Sequence, residues 1–127
     1  MTDPSYAVQK AVNAALTAIP GLKVYTRVPA GANLPYVEIG GDQILGDDDA
    51  GSFFTAYVEV RSYAKTTGEV KTIAGKVYAA LNGNLNLDGF TCHEFHFEST
   101  TYRTEVNGSD EVEQAITTFE YGVQTVV

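Results

Sequence analysis

The segment Cys92-His93-Glu94-Phe95-His96 gathers a thiol, two imidazoles and a carboxylate, the groups that bind zinc. Its spacing argues against that use. Phe95 and Phe97 alternate with polar residues, so the segment reads as a strand, in which neighbouring side chains point to opposite faces. His93 and His96 then diverge. Cys92 and His96 share a face but lie roughly 13 Å apart at about 3.3 Å per residue, whereas zinc holds its ligands within about 2.3 Å. The plainer reading is ordinary strand residues, with His93 partly buried in phase with Phe95 and Phe97.

Other chemistry fares no better. Asp47-Asp48-Asp49-Ala50-Gly51 has the acid density of a calcium loop but lacks the distal glutamate and the full ligand spacing. The stretch from Gly68 to Gly75-Lys76 ends in Gly-Lys, yet Val77 follows where a phosphate loop needs Ser or Thr, and its glycines lie in a helical pattern. Glu94 and Glu98 have the types of an acid–base pair, but on a strand they read as solvated. No nucleophile-elbow or dinucleotide-binding glycine motif is present. No catalytic, cofactor-binding or metal residue is therefore assigned, and no cofactor is expected.

The elements that would carry a site form one domain, 1–127. A chain of 127 residues with 44% hydrophobic and 19% charged residues is long enough to bury a single core. No apolar run reaches membrane-spanning length. Met1-Thr2-Asp3-Pro4 lacks the basic and apolar parts of a signal peptide. The single cysteine fits a reducing cytoplasm. Net charge is −8, from 16 acidic and 8 basic residues, which disfavours wrapping nucleic acid. The signs are unevenly placed. Glu38, Asp42, Asp47, Asp48 and Asp49 fall in a stretch without Lys or Arg, while Arg61, Lys65, Lys71 and Lys76 cluster. Separated signs let one copy meet another head-to-tail.

Periodicity predicts a helix over 5–18, with Asp3 as N-cap and an apolar stripe of Val8, Val12, Ala15, Leu16 and Ile19, ended by Pro20-Gly21. Strands follow over 23–27, 36–45 and 53–63, the second with a bulge at Gly40-Gly41. In the third, Phe54, Ala56, Val58 and Val60 share one face. Thr66-Thr67-Gly68-Glu69 is a capping box opening a helix with a stripe of Val70, Ile73, Ala74, Val77 and Leu81. Two long strands, 90–102 and 111–126, join through Asn107-Gly108, a hairpin turn signal. Ala115, Thr117, Phe119, Tyr121 and Val123 share a face. Strands of this length either bend or project as an arm. The expected fold is α+β, order α-β-β-β-α-β-β: one mainly antiparallel sheet of about five strands carrying two helices.

Residues 24–37, Val-Tyr-x-Arg-Val-Pro-x-Gly-Ala-x-x-Pro-Tyr-Val, following a helix that stops at Pro20, carry a family likeness. Together with the helix centred on Ile73-Ala74-Gly75-Lys76-Val77 and the two C-terminal strands, they resemble the tail-completion or tail-terminator proteins of long-tailed bacteriophages and prophages. That resemblance implies a structural virion protein, not an enzyme. It would be made in the bacterial host cytoplasm and placed at the head–tail interface. A ring of such subunits, usually six, stops tail-tube polymerisation and joins tail to head. Its partners would be itself, the major tail tube protein and a head–tail connector protein. DNA would only pass through the channel, and no membrane is involved. A connector, stopper or adaptor subunit is the alternative, with a small ligand-binding domain or enzyme behind it. Loop position and expected exposure nominate as interface residues Arg27, Val28, Pro29, Asn33, Pro35, Tyr36, Asp42, Asp47, Asp48, Asp49, Arg61, Glu105, Asn107, Asp110 and Glu111.

Overall fold

The computed structural model describes residues 3–46, 52–107 and 110–126. Seven elements follow one another: α1 (Ser5–Thr17), β1 (Val24–Tyr25), β2 (Tyr36–Gly46), β3 (Phe53–Ala64), α2 (Thr67–Leu81), β4 (Phe90–Asn107) and β5 (Asp110–Thr125). The α+β order is the one the hydrophobic periods predict. β1 is shorter than expected, and β4 runs five residues further.

Local chemistry sets the ends of the helices. The Asp3 carboxylate accepts the Ser5 N–H at 2.8 Å, one residue off the expected cap position. Gly21, at φ 74°, takes the left-handed conformation that lets the chain turn away after α1. Thr66 caps α2 by accepting the Glu69 N–H at 3.1 Å, and Glu69 returns a carboxylate oxygen to the Lys65 N–H at 3.3 Å. At the other end of α2, the buried Tyr121 hydroxyl donates to the Leu81 carbonyl at 2.6 Å, satisfying one of the carbonyls a helix C-terminus leaves open.

The described strands form one sheet in the order β1-β2-β3-β5-β4. β1 and β2 are parallel; every other pair is antiparallel. β5 therefore lies between β3 and β4, and α2 carries the chain across it. Both helices pack on one face of the sheet, α1 over β1 and β2, α2 over β3 and β5. Val8, Val12 and Leu16 of α1 and Val70, Ile73, Val77 and Leu81 of α2 bury against Val37, Ile39, Val58, Val60, Phe119, Tyr121 and Val123. Of the residues in the expected apolar stripes, Ala15, Ile19 and Phe54 sit at the margin, partly buried.

Three irregularities bend the strands. A register shift between Gly40 and Gln43 matches the bulge expected from the paired glycines. Asp42 consequently belongs to β2 and not to a loop. Two further shifts, between Cys92 and Glu94 and between Phe97 and Ser99, lie in β4. β3 ends at Ala64 opposite Glu113, so the far ends of β4 and β5 pair only with each other, and residues 101–106 are exposed. The long hairpin both bends and projects.

The first β4 bulge corrects two expectations. It puts an unpaired residue at His93, so the alternation slips by one across it. Cys92 turns to the helix-covered face and is buried, while His96 lies opposite Glu120 on the other face. They do not share a face. His93 is exposed instead of tucked in phase with Phe95 and Phe97, and its ring lies across Gly122. A Cβ there would meet His93 Cε1 at 2.8 Å, so a side chain at 122 would displace the imidazole.

Candidate assembly surfaces

The face without helices is built from alternate residues of four strands. Tyr36, Glu38, Glu59, Arg61 and Tyr63 come from β2 and β3; Gln114, Ile116 and Glu120 from β5; Glu94, His96, Arg103 and Glu105 from β4. Such a face in a solvated antiparallel sheet is ordinarily polar. Here it carries a cluster of tyrosines. Tyr25 and Tyr36 meet edge-on with centroids 5.9 Å apart, and Tyr36 and Tyr63 lie at 5.1 Å.

A polar chain fixes that cluster. Arg103 Nε donates to Gln114 Oε1 at 2.6 Å, and Gln114 Nε2 donates to the Tyr63 hydroxyl at 3.0 Å. Gln114 is 2% exposed, so its amide is held in place with both ends satisfied. Arg61 is gripped by Glu59 at 2.7 Å, with Glu38 at 3.7 Å. Burial first, then the Glu38 and Glu105 charges, push the Tyr36 and Tyr63 phenols above their ordinary pKa, so both stay protonated donors.

His96 and Glu94, two residues apart on β4, pair at 2.6 Å. The hydrogen bond that His96 donates to the Glu94 carboxylate raises the His96 pKa above its ordinary value. The pair is complete below that raised value and is lost as pH rises through it. Its titration followed by NMR is expected to centre above about 6.5, and Glu94→Gln to lower it. A midpoint unmoved by that substitution would remove Glu94 as the cause.

Among the described residues no three of His, Cys, Asp and Glu cluster as metal ligands. The Cys92 thiol sits within 3.7 Å of Asn84 Oδ1 and 3.5 Å of the Glu94 carbonyl. The clefts lie beside the helices and are open. One of about 330 Å³ between Pro20, Leu22, Pro35 and Ile73 has only Glu69 and Lys76 as titratable lining, and Glu69 is engaged in the helix cap. No described helix is long and apolar enough to cross a membrane.

The nominated interface residues fall in three places. Arg27, Pro29 and Asn33 are exposed and Val28 half-buried on the loop from β1 to β2, where Lys23 Nζ donates to the Asn33 carbonyl at 2.5 Å. Pro35, Tyr36 and Arg61 are half-buried, the last two on the helix-free face. Glu105 and Glu111 are exposed on the hairpin. Asp47, Asp48 and Asp49 lie outside the described residues, and the side chains of Asp42, Asn107 and Asp110 are likewise not described. Sequence reading missed Tyr25, Tyr63 and Gln114. Their signal was the phase of the strands opposite to the core phase.

Charge is unevenly distributed along the chain. Residues 3–35 and 65–89, which hold the helices and β1, contain six basic and three acidic residues; the remaining strands and their connections contain two basic and thirteen acidic. Among the described residues the titratable side chains are spread over the surface, a distribution that suits contact with other protein.

Comparison with known proteins narrows that reading. The family described as Tail completion protein gp17 matches residues 7–123. The chain belongs to this tail completion protein family. Among solved structures, a chain of the virion of a native gene transfer agent particle has the same fold, with a TM-score of 0.82 at 22% identity, over 98% of this chain and 99% of that one. The bacteriophage SPP1 gp17 protein is similar with a TM-score of 0.55 at 20% identity, over 97% of this chain and 91% of that one. No curated protein matches the chain by sequence.

Proposed function

We propose that this protein is the tail terminator of a long-tailed phage or related particle, a structural subunit that closes into a ring of six at the head-proximal end of the tail tube. The observation that carries the reading is membership of the tail completion family over residues 7–123. The fold shared over nearly its full length with a chain of a gene transfer agent virion supports a place in a particle of that kind. The mechanism is geometric. One side of the ring matches the tube protein; the other does not repeat that surface, so polymerisation stops and the head connector has a site to dock. No catalytic step or cofactor is required. DNA passes through the channel without a sequence-specific contact, and the excess of acidic residues over basic ones keeps phosphate affinity low. Assembly takes place in the host cytoplasm.

The test is to add the purified protein to polymerising tail tubes and image them by negative stain. Tubes are expected to stop at a defined length, each with a ring at one end. Tubes that grow unchanged and bare, while the protein joins head connectors instead, would replace this reading with that of a connector or adaptor subunit.

A further inference from the structure

We propose that neighbouring subunits join by packing the lysine-bearing helix layer of one copy onto the helix-free sheet face of the next. This deepens, and rests on, the ring reading above. Three observations lead to it.

The first is the sign of the two surfaces. Lys71 and Lys76 lie exposed on α2, Lys65 is exposed just before its cap residue Thr66, and Lys10 is exposed on α1. Among the described residues none of Lys65, Lys71 and Lys76 is in an ion pair; Lys71 lies over the Tyr102 ring at 5.4 Å. The opposite face presents Glu38, Glu59, Glu94, Glu105 and Glu120 against Arg61 and Arg103, and both arginines are engaged by glutamates of that face. The acidic side therefore retains an excess of charge for a partner to meet; on the basic side Lys10 is paired with Asp88 at 2.9 Å, whereas Lys65, Lys71 and Lys76 have no carboxylate in an ion pair among the described residues.

The second is the make-up of the sheet face. Tyr25, Tyr36 and Tyr63 are half-buried, ring against ring, and Tyr63 is held by Gln114 and Arg103. Rigid tyrosines ringed by charged groups are the composition of a protein-binding centre, since they bring large contact area with few rotors to freeze. On the helix side, small residues make the complementary surface. Ala15, Ala18, Ala79 and Ala80, with Ile19, Pro20 and Lys76, line an open groove between α1 and α2 that leaves room for a partner's bulky side chains.

The third is symmetry. The two surfaces are on opposite sides of one subunit, so their contact is heterologous: each copy gives one face and receives on the other. Such contacts propagate and close into rings, whereas a patch meeting itself makes only a two-fold dimer. The like-charged alternative, sheet face on sheet face, sets glutamates against glutamates and is disfavoured.

Reciprocal charge reversal tests this. K71E/K76E reverses the helix side and E59K/E120K the sheet side; circular dichroism and melting curves confirm that each variant is folded. By analytical ultracentrifugation, each variant alone is expected to associate at least tenfold more weakly than wild type. The two mixed, or all four substitutions in one chain, are expected to restore association, because reversed helices then meet reversed sheets. Raising salt from about 0.05 to about 0.5 M should weaken wild-type association, which reads the same contact without a variant. Variants that form rings as readily as wild type would overturn the contact and leave the terminator reading standing. Rings that persist while tube capping is lost would assign these faces to the tube protein and also overturn it. A wild-type protein that forms no ring, alone or on tubes, would overturn the ring itself and this contact with it.

Discussion

Phe119→Ala is expected to destabilise the fold by about 3–5 kcal/mol. Phe119 is fully buried on β5, the strand that joins β3 to β4. Its ring meets Phe97 at 5.5 Å, Tyr121 at 5.9 Å and Tyr78 of α2 at 6.2 Å. Truncation removes the hub of three aromatic contacts and opens a cavity that neighbours on a sheet cannot readily fill. Phe97 and Tyr78 are about two-fifths exposed and meet each other at 4.9 Å, so they would be left with solvent on one side and a void on the other. A domain of this size loses roughly 3–5 °C of melting temperature per kcal/mol. A melting curve within 3 °C of wild type, roughly 1 kcal/mol on that scale, would show that Phe119 does not organise this side of the core. Phe97→Ala, at a half-exposed ring on the same cluster, should cost clearly less.

Much of the fold was legible because its signals are periodic. The stripes Val8-Val12-Leu16 and Val70-Ile73-Val77-Leu81 repeat at helical spacing, and Ala115 to Val123 alternate at strand spacing; each set is buried on the one face where helices meet sheet. Turn and cap chemistry was equally plain at Thr66, Glu69 and Gly21. β4 was harder to read. A bulge has no period, and nothing in Cys92-His93-Glu94 announces that one residue is left over; its partner Gly122, where His93 crosses the sheet, is 29 positions away. Hence the phase of Cys92, His93 and His96 was misjudged.

The candidate surfaces were partly legible for a related reason. Loop position nominated Arg27, Asn33 and Glu105, and all three are exposed. The tyrosine cluster depends on which strands are neighbours. Tyr36 pairs with Tyr63, and Tyr63 with Gln114 and so with Arg103, only because the sheet runs β2-β3-β5-β4, an order with a crossover that one-dimensional spacing does not encode. The excess of acid was visible from the chain; its division between two faces emerged only when the helices were seen to share one side.

Leu16→Ala is expected to cost about 2–5 kcal/mol. Leu16 is fully buried at the last turn of α1, where the helix touches β1, β2 and α2. Its neighbours Ala15 and Ile19 are only partly buried, so the stripe narrows to this one side chain at the point where the chain turns towards β1. The loss should be local before it is global. α1 contributes no strand and packs on few elements, so amide exchange in α1 and β1 is expected to accelerate more than in β3 and β5, whose hydrogen bonds lie at the centre of the sheet. If the helix layer of one subunit docks on the sheet face of the next, the same substitution also loosens a docking surface. Association should then weaken at temperatures where the variant is still folded, and formed rings should recover part of the lost melting temperature because binding favours the native state. Asn13→Gln, at an exposed position on the same helix, is the control and should leave melting nearly unchanged. Equal exchange rates in wild type and Leu16→Ala would mean that α1 is not anchored where the structure places it.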